Sequence, residues 1–141
     1  MQKILILATV LACSITAAAQ QKDKAAIKSL MNRQIQAWNS GSIDDFMAGY
    51  WNDDSLMFVG QSGISYGWQS ALNNYKKHYP DTTAMGKLTF KILQMKPLSR
   101  VYYFVAGKWD LRRSVGNVGG YFTLLFRKIN GKWLIVADHT S

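Results

Sequence analysis

The stretch Tyr121-Phe122-Thr123-Leu124-Leu125-Phe126-Arg127-Lys128-Ile129-Asn130-Gly131-Lys132-Trp133-Leu134-Ile135-Val136-Ala137-Asp138-His139 decides how the chain folds. Two runs rich in aromatic and β-branched residues flank Asn130-Gly131, the dipeptide that best accepts the two positive φ angles of a type I′ turn. A two-residue loop sets the register: Ile129 opposite Lys132, Phe126 opposite Ile135 and Phe122 opposite His139. Strict alternation then puts Phe122, Leu124, Phe126, Trp133, Ile135, Ala137 and His139 on one face. Tyr121, Thr123, Leu125, Arg127, Leu134, Val136 and Asp138 fall on the other. Both faces carry large apolar groups, so the less apolar one, with Leu125, Leu134 and Val136, is the expected contact for a second copy, and a homodimer is predicted.

Upstream of this hairpin, residues 88–95 and 101–113 read as further strands, set apart by Pro97 and by the glycines from Gly116 to Gly120. The meander is antiparallel. The first half of the chain has a different period. Ala26, Ile27, Leu30, Met31, Ile35 and Trp38 recur at three and four residues, with Gln34 the one polar interruption, which predicts a helix over 22–39. Asn39-Ser40-Gly41 ends it. Ser42 with Asp45 three residues later forms a cap for a short helix carrying Ile43, Phe46, Met47 and Tyr50. After the turn Asn52-Asp53-Asp54 come short strands over 55–59 and 64–66, then a third helix over 68–79 that Pro80 stops.

Length and composition agree with one domain. The chain has 141 residues, 48% of them apolar, enough for one core and too few for two. Its 17 basic residues outnumber 8 acidic ones, and all the acids are Asp, so any mechanism that needs a glutamate pair is excluded. The cations come as singles and pairs rather than as one run, which argues against a nucleic-acid track. Met1-Gln2-Lys3 and the apolar run from Ile4 to Ala12 read as an export signal, too short to span a membrane. Ala17-Ala18-Ala19 supplies a cleavage site, giving a leader over 1–19 and a single domain over 20–141, periplasmic or secreted. A second reading takes Val10-Leu11-Ala12-Cys13 as a lipobox with a lipid anchor on Cys13. Cleavage after Ala19 leaves no cysteine, hence no disulfide and no thiol nucleophile.

Three local segments carry a resemblance. Ala37-Trp38-Asn39-Ser40-Gly41-Ser42-Ile43-Asp44, Tyr50-Trp51-Asn52-Asp53-Asp54-Ser55, and Gly131-Lys132-Trp133-Leu134-Ile135-Val136 with the closing Asp138-His139 resemble the superfamily of nuclear transport factor 2, SnoaL-like polyketide cyclases and ketosteroid isomerase. The resemblance implies an α+β, cone-shaped fold: three helices from the N-terminal half packed on a curved, mostly antiparallel sheet of about six strands. It is nearest to exported, SnoaL-like bacterial members of uncharacterised function. Aligned on Ala37 to Ile43, the family's helix-one tyrosine falls at Gln34 and its general-base aspartate near Phe58 or Val59. Neither position keeps the residue type, so steroid-type isomerisation is not expected.

The resemblance also implies a pocket at the open end of the cone. Trp38, Tyr50, Trp51, Phe58, Tyr66, Trp68 and Tyr75 are expected to line it, with Tyr103 and Trp109 if their strand face turns inward, and to bind a flat or apolar small molecule. His139, on the Phe-rich face by the turn register, is the first candidate acid/base. Asp110 and Arg112, two apart on one strand, are candidates for an ion pair or for holding an anionic group. His78 suits the C-terminal end of the third helix. Two histidines, no Glu and no metal-ligand spacing argue against a metal site. The absence of a phosphate loop argues against a nucleotide cofactor, and none is expected. The resulting expectation is an exported small-molecule-binding domain. Its alternative is a cofactor-independent lyase, cyclase or isomerase that uses His139.

Overall fold

The computed structural model describes residues 2–141, with side chains from Ala17 onward. The lipobox cysteine, Cys13, lies outside the residues whose side chains are described. Ten elements follow in the order α1 (Gln2–Asn39), α2 (Ile43–Met47), β1 (Met57–Gly60), β2 (Gly63–Tyr66), α3 (Trp68–His78), α4 (Thr82–Met85), β3 (Lys87–Pro97), β4 (Tyr102–Arg112), β5 (Val118–Ile129) and β6 (Lys132–Thr140). The six strands form one sheet in the order β2-β1-β6-β5-β4-β3. Every pairing is antiparallel except β1 with β6. The α+β fold expected above is the fold observed.

The helical stripe behaves as its spacing predicts. Ile27, Leu30, Met31, Gln34 and Trp38 are buried along one side of α1. The helix begins at Gln2 rather than near residue 22, because the Ala- and Leu-rich segment upstream has high helix propensity and contains no Gly or Pro to break it. Gly41 ends it at φ 88°. Ser42 caps α2, its Oγ accepting from the Asp45 N–H at 3.2 Å while Asp44 and Asp45 sit at the positive end of the helix dipole. One helix escapes the sequence reading, α4. Asp81 caps it, accepting from the Ala84 N–H at 2.8 Å, and one turn is too short to show a period.

The β5–β6 hairpin turns as expected, with Asn130 at φ 48° and Gly131 at φ 76°. Ile129 pairs with Lys132 and Phe126 with Ile135. Beyond that point the register shifts. Ala137 follows Ile135 as the partner of Leu125, so Val136 is an extra residue, and Phe122 pairs with Thr140 instead of His139. The cause lies on the other side of β6. Ile135 exchanges hydrogen bonds with the loop after α2, its N–H donating to Gly49 O at 3.0 Å and its carbonyl accepting from Trp51 N at 2.9 Å. Two residues later β6 pairs with β1 instead, starting at Ala137 with Met57. The strand changes neighbours across Val136. The consequence is a correction: Asp138 turns inward and is 4% exposed, whereas His139 is exposed on the outer face.

At the narrow end, α1 is tied to the sheet through one carboxylate. Asp23 Oδ1 accepts from Lys128 Nζ and from Trp133 Nε1, both at 2.9 Å. Partial burial pushes the Asp23 carboxyl up, but the hydrogen bonds from Lys128 and Trp133 and the Lys128 charge outweigh it and hold the carboxyl below its ordinary value. Among the described residues no helix is long and apolar enough to cross a membrane.

Replacing Asp23 with Ala is expected to cost about 1–2 kcal/mol in urea unfolding at neutral pH, since it orphans the indole N–H of Trp133. The lowered carboxyl stabilises the folded state above its unfolded value of 3.8 and loses that contribution as pH falls through the folded one. The gap between wild type and variant should therefore close on acidification, which melts at a series of pH values would measure.

Candidate functional site

Between α1, the residues following it and the concave side of β3–β6 lies a cavity of about 100 Å³, open on one side. Aromatic rings dominate its wall: Trp38 from α1, Phe46 from α2, Tyr75 from α3, Phe90, Trp109 and Phe122 from the sheet, with Tyr50 and Tyr79 from loops. Edge-to-face packing holds the helical side. Trp38 meets Phe46, Tyr75 and Tyr79 with ring centroids 5.1, 5.9 and 4.9 Å apart. The Trp38 indole N–H donates to Met85 O at 3.0 Å, so its polar edge is satisfied and its ring is fixed.

Two buried polar side chains occur among the described residues, Gln34 and Asp138, and both line this cavity. Gln34 enters from α1. Its Nε2 donates to Phe46 O at 3.2 Å, and the amide lies against Gly49, where a Cβ would come within 2.8 Å of Nε2. Glycine at 49 is what leaves Gln34 room. Asp138 enters from β6 through the bulge. Its Oδ2 accepts from the Tyr50 hydroxyl at 2.8 Å and its Oδ1 from the Thr140 hydroxyl at 2.6 Å. Burial pushes the Asp138 carboxyl up, against the opposing pull of those two hydrogen bonds and of the His139 imidazole nearby. Tyr50 and Tyr75 are both pushed up, first by burial and then by the Asp138 charge, and their hydroxyls interact with one another. Both phenols stay protonated, and that of Tyr50 donates to Asp138.

The lining residues include no Lys, Arg or His. Asp138 forms no ion pair; the bridges among the described residues are Lys76 with Asp44 and Lys128 with Asp23. No group of three or more His, Cys, Asp or Glu gathers among the described residues.

Of the aromatic residues expected at the pocket, Trp38, Tyr50, Tyr75 and Trp109 line it. Phe58 packs against Tyr50 at 5.1 Å and faces a separate recess on the far side of Tyr75 and Tyr79. Trp51 is half-buried away from the cavity, Tyr66 is 59% exposed, and the Trp68 indole donates to Met47 O at 3.0 Å. Tyr103 does turn inward with its strand, but six residues from Trp109, where it packs on Trp133 at the narrow end. Asp110 and Arg112 are exposed and unpaired with each other. His78 sits at the end of α3, its Nδ1 2.8 Å from Asn74 O. Phe46, Tyr79, Leu88, Phe90, Leu111, Phe122, Leu124, Gln34, Asp138 and Thr140 complete the wall without having been singled out as binding residues. The polar break in the stripe of α1 was the available signal for Gln34.

With the fold and cavity described, comparison with known proteins is informative. A solved NTF-2-like protein of unknown function from Shewanella oneidensis MR-1 is 40% identical, superposes with a TM-score of 0.82, and is matched over 84% of this chain and 98% of its own. The chain belongs to the nuclear transport factor 2-like superfamily. An NTF2-like protein of unknown function from Pseudomonas putida KT2440 shares the fold at 18% identity and TM-score 0.65, over 89% of this chain and 87% of that one. A ketosteroid isomerase-like protein from Erwinia carotovora atroseptica SCRI1043 does so at 17% and 0.63, over 83% and 93%. No protein-family model and no curated protein sequence matches the chain.

A carboxyl raised in the folded state favours folding when protonated. That contribution is complete below the unfolded value of 3.8 and is lost as pH rises through the folded-state value. Asp138→Asn, which cannot ionise, is therefore expected to melt at a higher temperature than wild type at pH 7, with the difference shrinking as pH is lowered. Equal melting temperatures at neutral pH would contradict this account.

Proposed function

We propose that the protein is an exported domain that binds a small organic molecule, flat or apolar in its body, in the cavity between α1 and the sheet. The observation that supports this most is the coincidence of an open aromatic cavity with both buried polar side chains, Gln34 and Asp138. A core needs neither group. An apolar wall with a few convergent polar groups is the usual composition of a small-molecule site. A cavity of about 150 Å³ takes a benzene ring, so this smaller one suits a group smaller than a ring, with any larger part of the molecule leaving by the open side.

Export is part of the proposal. Residues 17–22 are exposed on α1, and the first tertiary hydrogen bonds of the described helix involve Gln20 and Asp23, so removing residues 1–19 would leave those ties intact. Dimerisation is proposed as well, through the outer sheet face that carries the half-buried Leu125, Leu134 and Val136. Light scattering should give twice the monomer mass, and Leu125→Lys should shift it to the monomer.

One observation favours a second reading, a cofactor-independent proton-transfer enzyme: a buried carboxyl raised in the folded state at the cavity wall is a group suited to exchanging protons. This reading moves the acid/base role from His139, whose side chain is exposed on the outer face, to Asp138. His139→Gln would then leave turnover of a bound compound unchanged, and Asp138→Asn would abolish it.

Mass spectrometry of protein purified gently from its native envelope should find a copurified small molecule and a mature N-terminus near Gln20. Trp109→Ala, which removes one wall at the mouth, should lower affinity for that molecule by about tenfold. Protein that carries no organic compound and binds none from an aromatic library would defeat the proposal.

A further inference from the structure

A carboxylate on an aromatic-walled cavity that no cation among the described residues pairs with is a site with one electrostatic partner missing. Asp138 receives two hydroxyl hydrogen bonds, which satisfy geometry without neutralising charge. Each of its oxygens has a further lone pair to offer. The cavity it lines is walled by aromatic rings, among them Tyr50, which is hydrogen-bonded to it, and Tyr75, Trp109 and Phe122. Aromatic faces attract cations through their quadrupole, most strongly where water is excluded. They offer nothing comparable to an anion. The Gln34 amide, also at the wall, gives an Nε2 hydrogen to Phe46 O.

From this arrangement we infer that the cavity selects an organic ammonium ion, its cationic head seated between Asp138 and the aromatic rings and its tail directed out through the open side. The inference rests on the small-molecule reading above and names the ligand class of the same site. The volume agrees, since an ammonium head needs far less room than the whole molecule.

Cations outside the cavity oppose it only weakly. The His139 side chain is on the other face of β6, and the Arg113 guanidinium near Tyr79 is engaged by the carbonyls of Gly116 and Ala84. The net charge of +9 is spread over the surface, where salt screens it beyond about 8 Å.

Three probes of nearly equal size separate the alternatives: benzylamine, which is a cation at neutral pH, benzyl alcohol and benzoate. Binding is read by titration calorimetry and by the fluorescence of Trp38 and Trp109. Benzylamine should bind about tenfold or more tightly than benzyl alcohol, and benzoate weakest. Asp138→Asn should erase the preference for the amine while changing benzyl alcohol affinity by less than about threefold. Benzyl alcohol or benzoate binding as tightly as the amine would overturn the ammonium assignment and leave the small-molecule reading standing. Binding of none of the three would remove both.

Discussion

One inserted residue governs the interior. Val136 stands unpaired in β6, and the side chains after it face the opposite way from those a regular strand would present. Asp138 enters the cone and His139 leaves it. The insertion lies where β6 gives up the loop after α2 as its neighbour and takes β1, so one local irregularity joins two halves of the sheet and delivers a carboxylate to the cavity. Without it, the Tyr50 hydroxyl would lack this acceptor.

The stability of the domain is placed elsewhere. The closed end of the cone is packed and well paired: Tyr103 packs on Trp133, and Asp23 fastens α1 to Lys128 and Trp133. The open end keeps a polar group that the core does not need. Burial makes Asp138 costly to ionise, and the adjoining cavity leaves aromatic faces without packing partners. Such a division, well packed at one end and with a buried acid beside a cavity at the other, fits the small-molecule role proposed for the open end.

The aromatic residues have two fates that their chemistry alone does not separate. Trp38, Tyr50 and Tyr75 reach the cavity because α1, the loop after α2 and α3 converge there, while Tyr66 lies on the edge strand β2 and is exposed. Tyr103 and Trp109 share one face of β4 and still end at opposite ends of the cone. Alternation tells which way a side chain points, and the length of the strand tells how far apart two such side chains lie.

Local chemistry in the chain determined much of the architecture. Asn130-Gly131 set the hairpin, Ser42 with Asp45 set the start of α2, and the stripe from Ile27 to Trp38 set the buried side of α1, because each depends on neighbours within a few residues. The order of helices and strands, and through it the resemblance to the superfamily, followed from those signals. Tertiary structure alone decided the contents of the cavity. The bulge at Val136 answers to the hydrogen bonds that Ile135 makes with Gly49 and Trp51, more than eighty residues away in sequence, and no period within β6 encodes it. Asp138 became the buried acid and His139 a surface residue for that reason: which of two adjacent side chains faces inward is settled by the strands on either side.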